Sequence, residues 1–155
     1  MTPIQMLRPA ALAACLALPL PLAAQSVGEC DWRARADAIP EPWEAHTMTF
    51  ANGEVRIALL DTIEPAMVPF HLLVLAPPYD LVGGRTCRVV SWEGTRGFYG
   101  LSLEGVTAEY DPAVGLRLQL PAAVPDADGR ETPMWLSVTI NQATGQVGAA
   151  LTPDY

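Results

Sequence analysis

The stretch Met134-Trp135-Leu136-Ser137-Val138-Thr139-Ile140, running through Asn141-Gln142-Ala143-Thr144-Gly145 into Gln146-Val147-Gly148-Ala149-Ala150-Leu151, decides the fold class. Met134, Leu136, Val138 and Ile140 alternate with Trp135, Ser137 and Thr139, the period of two that sends successive side chains to opposite faces of a sheet. The polar Asn141–Gly145 stretch supplies a reversal, and Val147, Ala149 and Leu151 resume the alternation on the return. The pattern predicts an antiparallel pair with Met134, Leu136, Val138 and Ile140 buried together. Trp135 then shares the opposite face with Ser137 and Thr139. A tryptophan on an otherwise polar sheet face offers large apolar area at low entropy cost, which makes Trp135 a candidate contact residue.

Outward from this pair the same punctuation recurs. Towards the N-terminus come the polar turn Pro125–Glu131, an alternation of Leu116, Leu118 and Leu120 with Arg117 and Gln119, and the turn Asp111-Pro112-Ala113-Val114-Gly115. Val106, Ala108 and Tyr110 alternate into that turn. Strands are expected over Thr86–Trp92 and Gly97–Leu103, separated by Glu93–Arg96. Phe70–Ala76 is apolar throughout except for His71 and reads as a strand covered on both faces. Pro77–Asp80 and Gly83-Gly84 read as its exit loop. Asn52-Gly53 is a strong hairpin signal. It joins a strand carrying His46, Met48 and Phe50 on one face to one carrying Val55, Ile57 and Leu59, with Glu54 and Arg56 opposite. About eight or nine short strands, with no long helix and no internal repeat, predict an all-β, single-domain antiparallel sandwich or small barrel over residues 45–155. Residues 25–44 form an N-terminal segment in which Asp31 caps a short helix through Ala38, ended by Pro40 and Pro42.

Residues 1–24 read as a cleaved signal peptide. Arg8 charges the first part, Pro9–Ala24 (PAALAACLALPLPLAA) is apolar without a charge, and small residues lead to polar chain at Gln25 and Ser26. The run is shorter than the about 20 residues of a membrane-spanning helix, and Pro19 and Pro21 interrupt it. Leu12-Ala13-Ala14-Cys15 resembles a lipoprotein processing site, but too little apolar chain precedes Cys15 and too much follows. The expected bond is Ala24–Gln25, which places the mature chain in the periplasm or outside the cell, with no integral membrane span. A membrane β-barrel, which a terminal Tyr155 would suit, needs strands of about 9–11 residues, longer than most of these runs. Pro153 also interrupts the last one.

Loss of Arg8 takes the net charge from −8 to −9. That acidity argues against nucleic acid and against anionic membrane surfaces, which need basic patches. All nine basic residues are arginine, so lysine Schiff-base or general-base chemistry is excluded. Of three cysteines, Cys15 leaves with the signal, and Cys30 and Cys87 are expected to pair, as an even pair does in an exported chain. Closing that loop is worth about 4 kcal/mol on the loop-entropy account.

Chemistry-bearing groups are sparse. His46 could join His71 and Glu44, which shares its face on an extended strand, but no metal-type histidine spacing exists. Ser26, Ser91, Ser102 and Ser137 lie outside any nucleophile motif, and a triad needs a histidine that the fold brings to one of them. Asp126–Glu131 has the oxygen spacing of a calcium-loop fragment with Arg130 inside it, and reads as a solvated turn. Arg85, Arg88 and Arg96 flank two glycine-containing turns and form a candidate anion site. Trp92, Phe98 and Tyr99 bracket the same region as candidate contacts for a sugar ring or a partner protein. No cofactor is implied. The leading expectation is an exported, non-catalytic binding or interaction module for a protein or small-molecule partner. A small β-barrel around an apolar small molecule and a hydrolase with an unfamiliar site are the alternatives.

Overall fold

The computed structural model describes residues 25–154. The signal-peptide reading of residues 1–24, its Cys15 alternative and the terminal Tyr155 lie outside the described residues. Ten strands are present among them: β1 (Ser26–Glu29), β2 (Thr47–Phe50), β3 (Val55–Asp61), β4 (Phe70–Tyr79), β5 (Arg85–Ser91), β6 (Gly100–Leu101), β7 (Thr107–Asp111), β8 (Gly115–Pro125), β9 (Glu131–Asn141) and β10 (Gln146–Pro153). They build two antiparallel sheets. Sheet I runs β1-β5-β4-β3-β2, and sheet II runs β10-β9-β8-β6, with β7 on the same edge of β8 as β6. The fold is an all-β sandwich, as the alternating runs predict.

Alternation explains the core. Leu116, Leu118 and Leu120 of β8 pair with Ile140, Val138 and Leu136 of β9. With Ala122 they face Val55 and Ile57 of β3, Leu72, Val74 and Ala76 of β4, and Val90 of β5 in one contiguous cluster. Each fully buried leucine or isoleucine here contributes about 1.5–3 kcal/mol of transfer free energy. The space between the sheets is packed core, and the strands do not close into one ring. One end is stapled by the segment after β5, where Phe98 bridges Phe70 of sheet I and the Tyr99 amide donates to Ala123 of sheet II. Gly97 permits that crossing, because an added Cβ would collide with the Phe70 and Val68 carbonyl oxygens.

The hairpin turns follow a shared rule. In Asp80–Gly84 and Asp126–Arg130 the leading carboxylate accepts from the amides two and four residues on. Gly83 and Gly129 supply the left-handed position, with φ of 87° and 76°.

Several expectations are corrected. The β-domain begins at Ser26 rather than Ala45, since β1 pairs with β5. No helix spans Asp31–Ala38: Arg35 is extended, and helical structure is confined to one 3-10 turn at Ala36–Ala38. Arg33, Ala34 and Ala38 of this stretch are held by the sheet beneath it, and those attachments override its local helix signal. The strand expected from Ala45 starts at Thr47 after a single helical turn, α1 (Trp43–His46), so Glu44 and His46 do not share a strand face. β4 continues through Pro77 and Pro78 to Tyr79, with pairing that shifts between Ala76 and Tyr79 to accommodate residues lacking an N–H. Of the expected Gly97–Leu103 strand only Gly100–Leu101 forms regular strand, with Phe98 making an isolated bridge to Phe70. β4, β8 and β9 reach 10, 11 and 11 residues, longer than the runs read from sequence.

Sheet I has a second covered face. β1 and β2 occupy opposite edges of a five-stranded sheet, so the connection between them must cross about 19 Å of strands. Sheet II fills the inner side, and the connection therefore crosses outside. There Ala38 packs with Leu60 and Val89, flanked by Cys30, Ala34, Ile39 and Leu73.

Candidate functional site

Two features lie side by side on this outer face of sheet I: a buried polar cluster under the crossing segment, and an open groove beyond it. Cross-strand register sets the rows. Leu60 of β3 pairs with His71 of β4, and Ser26 of β1 pairs with Ser91 of β5. The next rows carry Ala58, Leu73 and Val89, then Arg56, Leu75 and Cys87.

The crossing segment is fixed at its start by the Cys30–Cys87 disulfide, with the two Cα atoms 5.4 Å apart. Three residues on, Arg33 turns inward and is only 5% exposed. Its Nε donates to Asp31 Oδ1 at 2.9 Å and its Nη2 to Asp31 Oδ2 at 2.8 Å. Its Nη1 donates to Ser91 Oγ at 2.8 Å, and Ser91 Oγ lies 2.8 Å from His71 Nδ1. A guanidinium can only donate, so the Ser91 oxygen accepts from Arg33, while the direction of its bond to His71 Nδ1 follows the tautomer of the neutral imidazole. Burial, reinforced by the Arg33 charge and opposed by Asp31, lowers the His71 pKa to about 4. The Arg33 hydrogen bond lowers that of Asp31.

The fold thus brings a serine to a histidine, the step a hydrolase needs, but not in a usable arrangement. Ser91 and His71 are each 1% exposed, Arg33 occupies the serine oxygen, and the acid bonds Arg33 rather than the imidazole. The cluster fastens the segment to the sheet.

Beyond Ile39 the outer face opens into a groove of about 580 Å³, lined by Ile39, Trp43, Leu73, Leu75, Ala58 and Met48, with Thr47, Thr49, Arg56 and Glu44 as its polar groups. A mostly apolar concavity with a few convergent polar groups is the usual character of a binding site. Thr47–Thr49 form its rim, and β2 is an edge strand. Further along the same face Arg85 lies over the Tyr79 ring at 5.5 Å and donates to Gly53 O. The hairpin tip beyond them exposes Leu81 and Val82 almost completely.

The residues singled out from sequence are dispersed. Arg85 shares the outer face with Cys87, whereas Arg88, one residue on, points inward beside Val74. Arg96 sits past the end of β5, stacked on Trp92 at 4.7 Å and paired with Glu93. The three arginines do not converge. Phe98 is core, Tyr99 is half-buried, and Trp92 packs against the core edge. Trp135 is half-buried on the outer face of sheet II, its Nε1 donating to Asp154 at 3.0 Å. Leu136, Val138 and Ile140 are fully buried opposite it, but Met134, nearer the strand end, is only half-buried. His46 bonds Pro42 O, whereas His71 bonds Ser91. Asp126 is held below its ordinary pKa, chiefly by the Arg130 amide, and Arg130 pairs with Asp126 and Asp128. Those oxygens are engaged within the turn.

Arg33 and the groove were not legible beforehand. Asp31-x-Arg33 reads as helix surface, and the groove combines residues from the crossing segment and three strands. Comparison with models of protein families, with curated proteins and with solved structures finds no match to this chain.

Proposed function

We propose that this chain is an exported, non-catalytic interaction domain that captures an extended polypeptide segment along β2 and in the adjoining groove. One observation carries the reading: the groove borders β2, an edge strand whose sequence Thr47-Met48-Thr49-Phe50 contains no charge and no proline. Charge and proline are the common means of blocking an edge against strand addition. A segment pairing with β2 gains main-chain hydrogen bonds, and its alternate side chains fall into the groove against Trp43, Leu73 and Leu75. The same face already accepts a segment of the protein's own chain, residues 31–39, which crosses it as irregular chain and one 3-10 turn. The disulfide supports an oxidising compartment outside the cytoplasm. No helix of the described residues is long and apolar enough to cross a membrane.

A displayed library of random decapeptides, panned against the oxidised protein, tests the reading. Enriched peptides are expected to alternate apolar residues and to shift the amide resonances of Thr47–Phe50. Trp43→Ala and Arg56→Glu, both at exposed positions, are expected to weaken them by tenfold or more, about 1.4 kcal/mol. Peptides that map instead to Trp135 or to Leu81–Val82, or whose affinity ignores Trp43, overturn it.

A further inference from the structure

The covered half of the outer face holds a device that the binding reading does not use. Segment 31–39 has few attachments. Its apolar hold is Ala34, Ala38 and Ile39 against Leu60, Val89 and Leu73, small side chains for the most part. Asp31, Trp32, Arg35, Ala36 and Asp37 are exposed. The one deeply buried polar anchor is Arg33, through Ser91 to His71.

We propose that Asp31–Ile39 is an acid-released strap: protonation of His71 drives Arg33 off Ser91 and frees the segment from sheet I, still tethered by Cys30–Cys87. The geometry gives the reason. The charged groups facing His71 are Arg33 and Asp31, both from the strap, whereas its neighbours on β3 and β5, Leu60 and Ser91, carry no charge. An imidazolium adds a second buried cation beside a guanidinium that cannot lose its proton. Both ring nitrogens of an imidazolium are donors, so the Ser91 hydroxyl, which already accepts from Arg33, cannot give its proton to the ring. The single acid is already engaged by both ends of the Arg33 fork and is partly exposed. Lifting the strap hydrates both cations. The inner core of Leu118, Leu136 and Val138 lies on the other face of the sheet and contains no strap residue. Ile39 and Trp43 line the groove, so release extends the groove towards Leu60 and Val89.

Nuclear magnetic resonance of the oxidised protein from pH 7 to pH 3.5 tests this. The readouts are the His71 ring signals, the Arg33 Nε–H, the amides of Arg33, Ala34, Ala38 and Ile39, and core amides in β8 and β9. A locked histidine near 4 and a released one near 6.5 make strap opening about a hundredfold more favourable at pH 4 than at pH 7. Exchange protection of the Arg33 Nε–H, corrected for intrinsic rate, is expected to fall by that factor together with the His71 titration, while β8 and β9 keep theirs. In His71→Gln the fall is expected to vanish. Protonation of His71 without change in the strap, strap and core opening together, or a fall that persists in His71→Gln overturns the proposal. The wild-type comparison of ring and strap stands even if the variant folds poorly.

Discussion

At the scale of single residues, His71 makes stability depend on pH. Its native pKa lies near 4, below the ordinary 6.5, so between those values the unfolded chain binds a proton that the native state refuses. Its contribution is fully present above about pH 6.5 and is lost as pH falls towards 4, up to about 3 kcal/mol. The loss ends where the strap lets go, because the released state takes up the proton as the unfolded chain does. Denaturant titrations at pH 7, 5 and 4 are expected to show the wild type losing more than His71→Gln. Gly97 marks a second residue-scale constraint. Gly97→Ala forces the Phe98 crossing away from Phe70 and Val68, and thermal unfolding is expected to show a loss of about 1–3 kcal/mol.

At the scale of elements, the turns were the most legible parts. Asp126-Ala127-Asp128-Gly129 declares its conformation through a carboxylate that reaches its own backbone and a glycine free to take positive φ. Gly129→Ala is expected to cost about 1 kcal/mol while leaving the strand register intact, as amide exchange in β8 and β9 checks. The alternation of β8 and β9 foretold their buried faces because each pairs with regular partners across one packed layer. It misjudged Met134, which is paired on both sides by Ala122 and Pro153 yet only half-buried, because pairing within one sheet does not ensure cover from outside it. β7 shows the same effect: Tyr110 pairs with Leu116 yet is exposed. The Cys30–Cys87 pairing was legible from the cysteine count once Cys15 was read as part of a leader. Its effect is specific to one element pair, since it ties the start of the strap to β5. Reduction is expected to lower stability by about 2–5 kcal/mol in chemical denaturation, with β1 and the strap losing exchange protection first.

At the scale of the molecule, two layers hide what one sequence lists in line. β1 returning beside β5 forces the chain over the outer face of sheet I, and that route creates both the polar cluster and the groove. Trp43 is exposed and touches little core, so Trp43→Ala is expected to change stability by no more than about 0.5 kcal/mol while removing peptide capture. That separation distinguishes a binding surface from a structural one. Export belongs to the same scale. Protein recovered from its native compartment is expected to begin near Gln25 with no free thiol under denaturing conditions, which intact mass and thiol titration check.

What the sequence by itself determined is what depends on near neighbours: the period-two faces, the Asp/Asn–Gly turns, the all-β class and the pairing of two cysteines. These follow from backbone stereochemistry, side-chain alternation and redox chemistry, which act over a few residues or need only a count. The apolar run Phe70–Ala76 also announced the two-faced burial of β4, but the tertiary structure alone decided strand order, the two-faced burial of β3 and β5, and the meeting of Arg33, Ser91 and His71 across separations of 58 and 20 residues. Those contacts arise because a buried guanidinium must find acceptors wherever the crossing chain sets it down. The path of that crossing is set by which edges the first two strands occupy, and no local pattern encodes it.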